Sequence, residues 1–237
     1  MANDYHYPGE ELQLFEEARH WKTYLSKKIK PFIKGEVLEV GAGISETTHY
    51  LVNENVQSWI CLEPDEQLQS ISQEKINKGS LPSVCKAKKG TLDDLGTDEK
   101  FDTIVYIDVL EHIEDDRSEL IKALSHLKQN GHLIILSPAF QFLYSPFDKA
   151  IGHYRRYNKN SLRKVIPATL SEKKLFYLES TGMLLLLLNK FIFRRNYPSG
   201  RHVKIWDRIF IPVSRLLDRI IFYSFGKTII GVWQKSS

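Results

Sequence analysis

VLEVGAGIS (37–45) is an apolar run interrupted by one carboxylate and followed by two closely spaced glycines. The run from Val37 predicts a buried strand. Gly41 and Gly43 predict a sharp turn that lets a ligand approach the backbone, and Ser45 predicts the opening of a helix. Strand, glycine turn and helix in this order place a nucleotide-like ligand at the carboxyl edge of a parallel sheet. A dinucleotide fingerprint needs a third small residue where Glu46 stands, so that reading fails. Glu39, inside the strand, would repel a pyrophosphate and favour a cationic ligand.

Outward from this turn, strands and helices alternate. Upstream, Leu14, Ala18, Trp21, Leu25 and Ile29 repeat at helical spacing within 10–29, with Pro31 and Gly35 ending a helix that covers the sheet or the ligand. Downstream, a helix is expected over 45–54 and a strand over Trp59–Leu62. Glu63 follows that strand, placed to accept both hydrogen bonds of a ribose diol. A polar helix over 66–77 leads to a strand over Ser83–Lys88, and GTLD (90–93) then brings Leu92 and Asp93 toward an adenine pocket, although DDLG (93–96) equally suits a surface turn. FDTIVYI (101–107) is the most strongly apolar strand. Asp108 and His112 follow it at the edge where the reacting part of a cofactor would stand, although His112 equally suits packing. A helix over 117–128 closed by Gly131 and a strand over Leu133–Leu136 complete a mostly parallel sheet covered on both faces.

The ordered set VLEVGAGIS (37–45), CLEPD (61–65), GTLDDL (90–95), FDTIVYIDVLEHIEDD (101–116) and GHLIILSPA (131–139) resembles the class I S-adenosylmethionine-dependent methyltransferases over residues 35–139. The resemblance implies an α/β, Rossmann-like fold with a seven-stranded sheet whose last strand is antiparallel. It implies S-adenosylmethionine as the cofactor, with Glu39, Gly41, Ala42 and Gly43 around its methionine part and Glu63 and Pro64 at its ribose. Leu92 would line the adenine site, and Asp108, Val109 and His112 would lie near the cofactor. Ser137, Pro138, Leu143–Ser145, Asp148 and GHYRRY (152–157) further resemble bacterial or archaeal methyltransferases associated with polysaccharide and lipid-linked sugar synthesis.

The loop after the fifth strand carries the candidate acceptor chemistry. Rings and charges are so dense there that an ordered lid or pocket wall is expected. Methyl transfer needs alignment of acceptor, methyl carbon and sulfur, and a base only where the acceptor arrives protonated. His153 is the first choice for that base, oriented by Asp148 or Asp108, with Tyr144 beside it. Tyr154, Arg155, Arg156 and Tyr157 complete the expected substrate wall, the arginines suiting a carboxylate or phosphate. Asn160-Ser161 is expected to cap the next helix, Lys174–Glu179 to form the sixth strand and Thr228–Gln234 the seventh.

Three parts are expected: an N-terminal helical cap (1–34), a cofactor-binding core (35–181 and 223–237) and a hydrophobic, basic helical insertion (182–222). Residues 1–139 hold 15 basic and 24 acidic side chains, whereas 140–237 hold 18 and 5. The acidic part suits a cationic cofactor, and the basic part suits a phosphorylated metabolite or anionic lipid. Without a compact basic stripe, nucleic acid is not expected as a partner. Cys61 and Cys85 show no metal-ligand spacing, so no metal is expected and a reducing, cytoplasmic setting is the simpler reading. The N-terminus lacks a secretory pattern.

The apolar stretch Met183–Leu188, extended by Phe191–Phe193 and ended by Arg194-Arg195, makes a helix of about 17 Å, too short for a bilayer. Residues 203–222 mix an apolar face with Lys204, Arg208, Arg215 and Arg219, with Pro212 as a kink. This pattern serves a peripheral membrane contact, a homodimer or a substrate lid. The leading reading is methylation of a small or lipid-linked metabolite at oxygen or nitrogen. The alternatives are carbon methylation of an isoprenoid-like acceptor and a non-catalytic cofactor-binding module; a nicotinamide dehydrogenase is opposed by Glu39.

Overall fold

The computed structural model describes residues 7, 12, 15–188 and 200–236. Its seven strands are β1 (Gly35–Val40), β2 (Val56–Glu63), β3 (Cys85–Lys89), β4 (Phe101–Ile107), β5 (Leu127–Pro138), β6 (Leu170–Leu178) and β7 (Thr228–Lys235). They form one sheet in the order β3-β2-β1-β4-β5-β7-β6, with β1 to β5 parallel and β7 antiparallel to both neighbours. The order reverses between β1 and β4, which opens a crevice at their carboxyl ends.

Residue alternation explains why both faces are covered. Val37, Val105 and Ile134 enter one apolar core, while Leu38, Val40, Ile104 and Tyr106 enter the other. The two edges, β3 and β6, carry Lys86, Lys88, Lys89, Lys173 and Lys174, charges that discourage pairing with another strand.

Several boundaries differ from the sequence expectation. The helix expected over 45–54 shrinks to Thr48–Leu51. Ser45 has φ +57°, and its hydroxyl bonds Ser72, whose own hydroxyl donates to the Gly43 carbonyl, so the turn stays irregular beyond Ser45. Gly131 lies inside β5 instead of closing a helix, because the polar residues of 127–131 form the half-exposed start of that strand. Asn158, not Asn160 or Ser161, caps the helix Lys159–Val165: its side chain accepts from the Ser161 N–H.

Part of the insertion, including Phe191–Phe193, Arg194 and Arg195, lies outside the described residues. The rest forms a helix Ser180–Leu188 and a helical run from Gly200 to Ile220 that includes a wide π-helical turn, Trp206–Phe210. That turn, just before Pro212, takes the place of the expected kink. Two aspartates tie the run to its neighbours. Asp207 accepts from the His20 and Trp21 N–H groups at the start of helix Arg19–Ile29. Asp218 accepts from Glu179 N–H, Ser180 N–H and the Tyr24 hydroxyl. Each carboxylate caps a helix N-terminus distant in sequence, where the exposed amides attract negative charge. Among the described residues no helix is long and apolar enough to cross a membrane.

Candidate active site

A cleft of 1780 Å³ opens at the carboxyl ends of β1, β2 and β4 and is roofed by the N-terminal segment, the loop after β5 and the insertion. Its first end is built on the glycine turn. Gly41 has φ +64°, and a Cβ there would lie 2.7 Å from a Val109 methyl, so only glycine fits. Gly43, at φ +54°, donates its N–H to Glu63 Oε2 at 2.8 Å, while Glu63 Oε1 accepts from the Asp65 N–H at 3.0 Å. Glu39 is buried, accepting from Thr48 Oγ1 at 2.5 Å and Trp59 Nε1 at 2.9 Å. Burial pushes the Glu39 carboxyl up to about 7 and raises that of Glu63 as well. The hydrogen bonds to both come from neutral donors.

The second end gathers residues from the β4 and β5 loops. Buried Asp148 receives a two-pronged bond from Arg156, Nε to Oδ1 at 2.8 Å and a terminal nitrogen to Oδ2 at 2.9 Å, and two more from Ser145. It also meets His153 Nδ1 at 2.9 Å. Burial opposes ionisation, but the bonds from His153 and Arg156 outweigh it and hold the Asp148 carboxyl well below the usual range. Glu111 is fully buried; Ser137 donates to its Oε2 at 2.8 Å, while Oε1 lies 3.9 Å from His153 Nε2. Burial and the Asp108 charge push the Glu111 carboxyl well up. The His112 ring meets that of His153 edge-on at 4.5 Å, and burial together with His153 lowers the His112 imidazole to about 3. Tyr144 lines the same end, its hydroxyl donating to the His153 carbonyl at 2.6 Å.

Of the residues singled out in sequence, Glu39, Gly41, Ala42, Gly43, Glu63, Pro64, Asp108, Val109, His112, Tyr144, Asp148, His153 and Arg156 line the cleft. Four do not. Leu92 turns into the core between sheet and helix, leaving Gly90, Thr91 and Asp93 at the cleft. Arg155 and Tyr157 are both claimed by Asp116, at 2.6 Å each, and Tyr154 is half exposed. The expected substrate wall thus reduces to Tyr144, His153 and Arg156, because a buried aspartate on a neighbouring helix pulls the alternate side chains away.

Sequence reasoning missed Tyr7, Lys22, Glu111 and Glu179. Tyr7 lines the cleft with its N–H on Asp65 and its ring edge-on to His112. Buried Lys22 reaches the Glu16 carbonyl and Glu46. Glu111 had a visible signal: a carboxylate within the otherwise apolar DVLEHI (108–113). Glu179, at φ +66°, had none, since its partners Trp206, Lys227 and Thr228 come from distant parts of the chain.

Residues 38–133 match a family model described as a methyltransferase domain. No curated protein sequence matches the chain. Among solved structures, the chain is similar to one from a Haloferax volcanii complex containing the Trm112 methyltransferase activator (14% identity, 97% of this chain and 96% of that one, TM-score 0.65). It is also similar to an S-adenosylmethionine-dependent methyltransferase of Clostridium acetobutylicum (12% identity, 93% of both chains, TM-score 0.59). A third is the N-methyltransferase NodS of Bradyrhizobium japonicum bound to S-adenosyl-L-homocysteine (14%, 94% and 88%, TM-score 0.58). At these identities the structural likeness speaks for the fold.

The residues present fit the cofactor. Glu39, buried and bonded by neutral donors, suits a cationic ligand and would oppose a pyrophosphate, while Glu63 at the end of β2 is placed to accept from a ribose diol. Residues 38–133 thus carry the methyltransferase-domain match, the chain shares its fold with solved methyltransferases, and the chemistry of the cleft suits S-adenosylmethionine.

Proposed function

We propose that the protein methylates an oxygen or nitrogen of a small or lipid-linked acceptor that enters the cleft beside His153. The observation that carries this reading is the cleft itself, at 1780 Å³ well above the roughly 300–1,000 Å³ typical of a small-molecule pocket. Beyond the cofactor end its wall is apolar, formed by Leu185, Leu186, Val203, Trp206 and Phe210 of the insertion. S-adenosylmethionine supplies a methyl carbon activated by a positively charged sulfur. Glu39 provides negative charge on the methionine side of that group, Glu63 stands where the ribose diol would bond, and the glycine turn admits the cofactor close to the backbone. Asp148, fixed by Arg156, accepts from His153 Nδ1–H, which leaves Nε2 to take the acceptor's proton.

The lipid-linked form of the reading rests on the outer face of the insertion. Ile205, Ile209, Val213, Leu216 and Ile220 recur at helical spacing and all are exposed, Leu216 and Ile220 by 62% and 61%. Exposed Lys204, Arg208 and Arg219 accompany them. An apolar stripe with basic neighbours complements an anionic lipid surface, where each basic residue contributes about 1 kcal/mol.

Incubating the protein with methyl-labelled S-adenosylmethionine and a total membrane-lipid extract should place label in lipid. His153→Ala should lower that turnover about 10²–10⁴-fold while leaving S-adenosylhomocysteine affinity within about twofold. Absence of label from both lipid and water-soluble acceptors, in protein that still binds the product nucleoside, overturns the reading. Flotation with phosphatidylglycerol vesicles tests the surface; loss of flotation in a Leu216→Ser, Ile220→Ser double variant is expected. No flotation of the unaltered protein, or burial of the stripe in a dimer, overturns the lipid assignment.

A further inference from the structure

We propose that Glu111, His112 and His153 form a binding site for a divalent first-row transition-metal ion at the acceptor end of the cleft. Each of the three offers a ligand atom, and these atoms lie within 4.8 Å of one another. All three residues line the cleft, so an ion held there is open to an acceptor. Two imidazoles and one carboxylate are nitrogen-rich for magnesium or calcium and suit zinc, manganese or iron(II). An ion about 2.0–2.2 Å from all three would draw these atoms closer together than they stand in the ligand-free cluster.

An independent observation points to an absent ligand. Glu111 Oε1 is fully buried and, among the described residues, has no hydrogen-bond partner. A buried carboxylate oxygen left in this state is costly unless something satisfies it. The other oxygen is occupied by Ser137, so the free one is the one that faces His153 Nε2.

The surroundings are those of a ligated centre. Metal-bound histidines ordinarily give their second ring nitrogen to a carboxylate or a backbone carbonyl, which fixes the ring and the tautomer. His153 gives Nδ1 to Asp148, itself locked by Arg156, and the Gly152 backbone bonds the His112 ring. Neither the glycine turn nor the insertion contributes a ligand, so the ion would sit between the cofactor and the acceptor, with His112 on the cofactor side. Asp108 and Asp148 add negative charge nearby, against which Arg156 sets one positive charge. What remains is negative, which favours a cation at this place.

This inference deepens the proposed methylation and rests on it only for its role. An acceptor hydroxyl that binds the ion loses its proton to solvent more readily, with its oxygen held toward the methyl donor. With the ion bound, His153 Nε2 holds the ion and solvent takes the proton; without it, Nε2 takes the proton directly.

The site can be tested without turnover. Full-length protein stripped with a chelator is titrated with Zn²⁺ by calorimetry and with Co²⁺ by visible absorption, with S-adenosylhomocysteine binding as the control for folding. One equivalent is expected. Glu111→Gln and His112→Gln should each weaken it at least about 100-fold, and Asp148→Asn about 10–100-fold through His153. Should Asp148→Asn fail to fold, the Glu111 and His112 variants carry the test. Failure to bind one equivalent, or binding unchanged in Glu111→Gln, overturns the site. Stoichiometric binding in a protein that methylates nothing would sustain the site and remove the proposed function alone.

Discussion

The two ends of the cleft handle buried carboxylates in opposite ways. At the cofactor end Glu39 and Glu63 are hydrogen-bonded by neutral donors, and burial raises both. At the acceptor end Asp148 is gripped by Arg156 and held low, while Glu111 stays half-satisfied. An internal counter-charge makes Asp148 a fixed structural anion. Without one, Glu39 and Glu63 keep their negative potential for a ligand that brings its own positive charge.

Removing the internal counter-charge should have the largest effect. Arg156→Met leaves Asp148 buried and unpaired, and urea denaturation should show a loss of about 3–5 kcal/mol. An unchanged midpoint would mean that the pair is not what holds the loop. Glu63→Ala removes an acceptor at the cofactor end, and calorimetry should show S-adenosylhomocysteine binding weakened by about 1–3 kcal/mol.

Glu39 predicts a pH dependence whose sign follows from its raised carboxyl. Between its ordinary value of 4.5 and about 7 the ligand-free protein holds a proton that the unfolded chain has lost. Raising the pH through that window therefore withdraws stability from the ligand-free protein, and a cationic ligand expels the proton. S-adenosylmethionine affinity should rise toward pH 7 by at most about tenfold per unit and then level off. Glu39→Gln should flatten the curve, and a curve equally steep in that variant would assign the proton elsewhere. The smallest effect is expected at the outer stripe, where Leu216→Ser should shift stability by no more than about 0.5 kcal/mol in thermal denaturation.

The seven strands and their mostly parallel arrangement were legible because apolar runs recur between turn residues, and the glycine turn marked its own place. Boundaries were less legible wherever a strand starts at the surface, as at 127–131, or where tertiary bonds override a local pattern, as at Ser45. That Glu39, Gly41, Gly43 and Glu63 line one end of the cleft could be read because they sit at fixed offsets from strand ends. The acceptor end could not, since its geometry depends on side chains that compete across the chain. Nothing in GHYRRY (152–157) says that Asp116 takes Arg155 and Tyr157 while Asp148 takes Arg156. Leu92 illustrates the same limit over a shorter span: a single helical turn at 92–94 turns Leu92 into the core and leaves its neighbours at the cleft.

The paired roles of Asp207 and Asp218 bear on how the 182–222 segment can be altered. Excising it as a cassette would strip the start of Arg19–Ile29 of its acceptor and free the Tyr24 hydroxyl deep in the interior. The segment is therefore soldered to the body at two points, and grafting it onto another methyltransferase would require carrying both joints along with it.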